Sequence, residues 1–215
     1  MSHRSSRVAV LAALALAAVA VAAAQAYTPP KGTPDLAKMT LQPSDFAASG
    51  KVSGYYQPVV AGSHERAEYL GAFLSPTTSG GVKLESIVTS VQLFDTTAFA
   101  KAAFAQTQRE DGSAVGRMIL FEAWHPGSGP GSGATLRDAH FAPLAAIGAG
   151  QQSSLLSMTV ATSVWTLAAD TVRLRVGDVL VGLQMGATSP NLTASVATGL
   201  ARAAAAHVKS ALARQ

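Results

Sequence analysis

"AWHPGSGPGSGATLRD", Ala123–Asp138, decides how the chain is read. As a linker it would divide the chain into two small domains. As a phosphate loop it would open a helix, and as a surface excursion it would lie inside one domain. The phosphate reading fails on chemistry: the stretch has no lysine, no glycine-lysine-serine/threonine ending and no helical pattern directly after it. A nucleophile elbow fails too, because Pro126 and Pro130 stand two residues before Ser128 and Ser132, where glycine is needed. The linker reading fails on hydrophobic supply. Each half of the chain carries strands and one helix but few large apolar residues, and the first half's strands alone would expose a whole sheet face. One sheet covered by both helices uses those residues better. The expectation is a single α+β domain over 36–215: an antiparallel sheet with two principal helices packed on one face, and a Gly/Ser/Pro-rich surface loop at 126–134 between strands.

The flanking segments supply the elements. "RAEYLGAFL" from Arg66 places Tyr69, Gly71 and Phe73 on one side, and "VKLESIVTSVQLF" does the same for Ile87, Val91 and Leu93, so both read as half-buried strands. Asp95 or Thr96 caps a helix over "TAFAKAAFAQTQRE". "GRMILFEAWH" reads as a strand, and "SLLSMTVATSVWTLAA" as a long one. "TVRLRV" alternates, with Val172, Leu174 and Val176 inward and Arg173 and Arg175 outward. Gly177-Asp178 then turns the chain into "VLVGLQM". A closing helix is expected from Ser189 as N-cap with Pro190 at its first position, carrying the stripe Leu192, Val196, Leu200, Ala204, Val208, Leu212.

The N-terminus speaks to compartment. Arg4 and Arg7 precede an uncharged run from Val8 to Ala24, and "AQA" at Ala24–Ala26 has the small-x-small form of a cleavage site. Residues 1–26 therefore read as a signal peptide, with 27–35, "YTPPKGTPD", as a proline-rich flexible tether. The competing reading, an uncleaved anchor, suffers from a run that is short for a spanning helix and rich in alanine. The expected location is secreted or extracytoplasmic, with no membrane span after cleavage.

Composition narrows the chemistry. The 215 residues are 48% hydrophobic and 13% charged, too apolar and too weakly charged for a disordered chain. With no cysteine, thiol catalysis, zinc–thiolate sites and disulfides are excluded. Loss of Arg4 and Arg7 with the leader lowers the formal charge from +4 to +2, and the remaining cations form no basic run, which argues against a nucleic-acid partner.

No catalytic constellation emerges. His64, His125, His140 and His207 show no i, i+4 pair among themselves, and neither a metal nor another cofactor is expected. Glu65 and Glu68 at a strand entry, and Glu110 and Asp111 at a helix end, read as ordinary solvated termini. Glu122, His125 and His140 are the groups from which a hydrolase site beneath the glycine loop would be assembled. Tyr55, Tyr56, Trp124, His125 and Trp165 are the side chains best suited to line a ligand pocket.

Several segments together resemble a known group. "DLAKMTLQPSDF", "VQLFDTTAFAKAAF", "VRLRVGDVLVGLQ" and "ATGLARAAAAHVKSAL" are similar to exported α+β proteins of high-GC bacteria. These include the extracellular sensor domains of mycobacterial-type receptor kinases and small secreted proteins of the Mog1/PsbP-like fold. Sensor domains of that group commonly carry disulfides, which this chain lacks. The resemblance implies a sensing, binding or envelope-associated role and transfers no catalytic residue. The leading expectation is an exported, non-enzymatic binding or sensor-like module of the cell envelope, its partner a small molecule or an envelope protein. An envelope hydrolase and a structural envelope protein that binds a protein partner are the alternatives.

Overall fold

The hairpin at Gly177-Asp178 forms where the sequence requires it, with Gly177 at φ 62°, a left-handed conformation that only glycine adopts without cost. It joins the two strands at the centre of the sheet. The computed structural model describes residues 27–47, 52–73, 77–124, 136–162, 166–187 and 192–214. The leader 1–26, the loop 126–134, His125, Trp165, Ser189 and Pro190 lie outside the described residues.

Nine strands are described: β1 (Val52–Gln57), β2 (Glu65–Phe73), β3 (Thr77–Ser79), β4 (Val82–Leu84), β5 (Ser86–Phe94), β6 (Leu136–Phe141), β7 (Gln152–Thr162), β8 (Thr166–Val176) and β9 (Val179–Ala187). The helices are α1 (Thr97–Gly112), α2 (Ala114–Trp124) and α3 (Ala194–Leu212), with short 3-10 turns at Leu36–Met39 and Pro43–Asp45. Seven strands form one sheet in the order β1-β2-β5-β9-β8-β7-β6, every neighbouring pair antiparallel. β3 and β4 pair as a separate hairpin. The fold is thus α+β with one principal antiparallel sheet, and that sheet draws strands from both sides of the glycine-rich stretch.

Register separates the two faces of the sheet. Tyr69, Val91, Val181 and Leu174 lie side by side across β2, β5, β9 and β8. With Val172, Leu183, Met185 and Leu155 they build the main core, which α3 closes with Val196, Leu200, Ala204 and Val208. That stripe is the one the helical spacing predicts. The 3-10 segment completes the same core, since Leu36, Met39 and Leu41 are fully buried in it. The opposite face is covered by α1, whose Ala100 and Phe104 pack on Phe94 and Leu180. The layering therefore refines the expectation: the two long helices divide between the faces, because consecutive residues such as Leu180 and Val181 are both apolar and each needs cover.

Three local expectations are corrected. "GRMILFEAWH" belongs to a helix through Trp124, not a strand. Its start is marked by Ser113, whose Oγ accepts a hydrogen bond from the Gly116 amide at 2.9 Å and so caps the first turn. The run "MILF" is apolar without a clean period, so it satisfies either template. The glycine-rich stretch consequently links a helix to the edge strand β6. "SLLSMTVATSVWTLAA" is not one strand: β7 ends at Thr162, and β8 starts at Thr166 and runs on through "TLAADTVRLRV". Finally, α3 starts at Ala194 with Thr193 as its N-cap residue.

Candidate functional site

Between α1 and the sheet face beneath it lies a cleft of about 530 Å³, within the roughly 300–1,000 Å³ usual for small-molecule sites. One wall is helical and carries Phe99, Gln106, Arg109 and Glu110; the floor carries Glu65, Glu68, Ser90, Gln92 and Arg173 from the strands. Local sequence explains the placement. Thr96 caps α1 through its Oγ1, which accepts from the Phe99 amide at 3.3 Å. Period-2 alternation in β2 and β5 then sends Glu68, Ser90 and Gln92 to the face opposite Tyr69 and Val91.

The floor is charged and buried. Glu65 is 8% exposed, Glu68 7% and Arg173 5%. Arg173 Nε donates to Asp111 Oδ2 at 3.3 Å, and both side chains are almost wholly buried. Gly182 makes room for the guanidinium: a Cβ there would stand 2.6 Å from Arg173 Nη1 and 2.6 Å from Ser90 Oγ. On the floor Gln92 Nε2 donates to Glu65 Oε1 at 3.2 Å, and on the helix Gln106 Nε2 donates to Glu110 Oε1 at 2.8 Å. At the rim His64, held at φ 58°, stacks on Phe99 with ring centroids 3.7 Å apart and planes 7° apart. Its Nδ1 lies 3.5 Å from Asp95 Oδ2. Chemically the cleft offers acceptors, donors and an aromatic edge, which suits binding of a polar molecule. Among the described residues no group of three or more metal-ligating side chains comes together.

The residues singled out from sequence fare differently. Tyr55 sits on the cleft side of β1, its hydroxyl accepting from Gln57 Nε2 at 3.3 Å, and Gln57 lines the cleft. Tyr56 points to the other face, because neighbours in a strand must. There it meets Tyr69 edge-on at 5.2 Å, and its hydroxyl accepts from the Leu36 amide at 3.0 Å. Burial raises the pKa of both Tyr56 and Tyr69. Trp124 ends α2, and His125 and Trp165 lie outside the described residues. His140 is exposed on the edge strand β6, across the sheet from the cleft, and Glu122 falls within α2.

The residues that do build the cleft are largely those read as solvated. Glu65 and Glu68 line it and are buried, as is Arg173, read as outward, at 5% exposed; Asp111 and Arg175, buried too, are not part of its lining. The reading failed because β8 and β9 are covered on both faces, so a polar position in the pattern meant a second interior. One signal was present: "GLQ" in β9 places Gly182 where a solvated face would carry a larger polar residue.

No family model matches the chain, and no curated protein matches it. Among solved structures, the crystal structure of the extracellular domain of PknH from Mycobacterium tuberculosis has a similar fold. The TM-score is 0.50 and the identity 11%, over 85% of this chain and 98% of that one. At that identity the likeness concerns fold alone. It agrees, at that level, with the resemblance to extracellular sensor domains. The resemblance to Mog1/PsbP-like proteins and the high-GC origin draw no support from it. No helix among the described residues is long and apolar enough to cross a membrane.

Proposed function

We propose that the chain is an exported, non-enzymatic binding or sensor-like module of the cell envelope, and that its ligand enters the cleft beneath α1. The observation that carries this reading is the buried, charged floor of that cleft. Glu65, Glu68 and Arg173 face a cavity of about 530 Å³ instead of an apolar partner. Placing charge there costs stability, since even a paired buried charge often does no better than an apolar replacement. A binding role supplies a reason for the cost. The fold likeness to an extracellular domain supports the location, as does the leader pattern at 1–26. The domain over 36–215, tethered through 27–35, is part of the same proposal.

The test is a ¹H–¹⁵N spectrum of the protein titrated with a small-molecule extract of an envelope fraction. Shifts concentrated at Gln57, Glu65, Glu68, Gln92 and Gln106 are expected. Shifts confined to other surfaces, or none, would overturn the cleft reading. The location is checked separately by N-terminal sequencing of the product from an exporting bacterial host: Tyr27 is expected first, and a membrane-retained product beginning at Met1 would refute it.

A further inference from the structure

Resting on that cleft reading, we infer that its occupant is a carbohydrate of one to two neutral sugar rings. Four features of the walls lead there. First, each wall carries a carboxylate paired with a primary amide, Glu65 with Gln92 on the sheet and Glu110 with Gln106 on the helix. A carboxylate only accepts, while an amide has two donors and an acceptor. Such planar groups facing each other across a cleft match neighbouring hydroxyls, each of which both donates and accepts. Second, Arg173 brings buried donors to the floor, but its charge is already met by Asp111, so the ligand need not supply an anion. Third, Phe99 is 37% exposed and stacked on His64 at the rim, an apolar platform of the kind that takes the C–H face of a pyranose ring. Fourth, the volume of about 530 Å³ admits one or two rings and no long chain.

The competing chemistries fit less well. A phosphate or carboxylate ligand would face Glu65, Glu68 and Glu110. A simple amine would meet Arg109 and Arg173 among those carboxylates. An aliphatic ligand would make no use of the donors and acceptors that Gln92, Gln106 and Arg173 bring to the walls.

The test is saturation-transfer difference NMR on the full chain. The probes, run in parallel, are maltose, cellobiose, lactose, N,N′-diacetylchitobiose, spermidine and inorganic phosphate. Phe99→Ala is the site variant; the ring is at the rim and exposed, so a circular dichroism melt should match the parent. The expected result is transfer to at least one disaccharide, with amide shifts at Gln92 and Gln106 and affinity weakened about tenfold or more in Phe99→Ala. If spermidine or phosphate moves the cleft amides and no sugar does, the carbohydrate inference falls while the binding reading stands. If a sugar binds without moving those amides and is indifferent to Phe99→Ala, the inference is likewise overturned. If no probe and no envelope extract touches the cleft, both fall.

Discussion

Replacing Asp111 by alanine should be among the most damaging single changes outside the apolar core. Its carboxylate is the partner of Arg173 at 3.3 Å, with the two side chains 3% and 6% exposed. At that distance the attraction is about 5 kcal/mol with an effective dielectric near 20. Removing the carboxylate also leaves the guanidinium buried over Gly182 with its Nε donor orphaned. Breaking such a pair from one side costs about 3–5 kcal/mol. For a domain of this size that is a fall in Tm of roughly 6–20 °C, taking ~2–4 °C per kcal/mol. Urea unfolding followed by far-ultraviolet circular dichroism gives the free energy directly, and the slope should stay unchanged if only the native state is affected. The double variant Asp111→Leu with Arg173→Met should recover much of the loss, because no charge is then left unpaired. A cost below about 1 kcal/mol for Asp111→Ala, the magnitude of an exposed pair, would refute the argument. So would a double variant no more stable than the single.

Four other outcomes follow from the same structure. Gly182→Ala, whose Cβ would collide with Arg173 and Ser90, should cost roughly 1–3 kcal/mol in urea unfolding. Leu36→Ala, at a fully buried position of the N-terminal segment, should cost about 2–5 kcal/mol, whereas a mere tether would tolerate it. His64→Gly should leave stability unchanged or raise it slightly, because the residue sits at φ 58°, yet it should weaken any cleft ligand by removing the ring stacked on Phe99. Asp170 gives a pH signature. Burial raises its pKa, against a smaller lowering by the Ser157 hydrogen bond, and among the described residues Oδ2 has no hydrogen-bond partner. The native state thus binds its proton more tightly than the unfolded chain, so this group's contribution to stability declines as pH rises from near 3.8 through the raised value. Asp170→Asn should flatten that decline and gain stability at neutral pH. Stability of both proteins measured from pH 3 to 7 would show it, and parallel profiles would contradict it.

Where a single physical signal dominated, the chain was readable. The Gly177-Asp178 hairpin, the Thr96 cap and the stripe on α3 each depend on neighbours a few residues away, and each is found where its chemistry predicts. Alternation in β2 and β5 likewise assigned Tyr69, Val91 and Leu93 to the core correctly. The "MILF" run was not readable, since its apolar content fits a strand or a helix and only the Ser113 cap tips the balance.

The sequence by itself determined the α+β class and the identity of the main core face, because apolar periodicity and turn chemistry are local properties. It did not reveal the second interior. Whether Glu65, Glu68, Asp111 and Arg173 meet water or one another depends on α1 lying over the opposite face of β5, β9 and β8. That contact joins residues far apart in the chain: Asp111 and Arg173 are 62 positions apart. Tertiary packing made a buried polar cleft of side chains whose local pattern is that of a solvated surface.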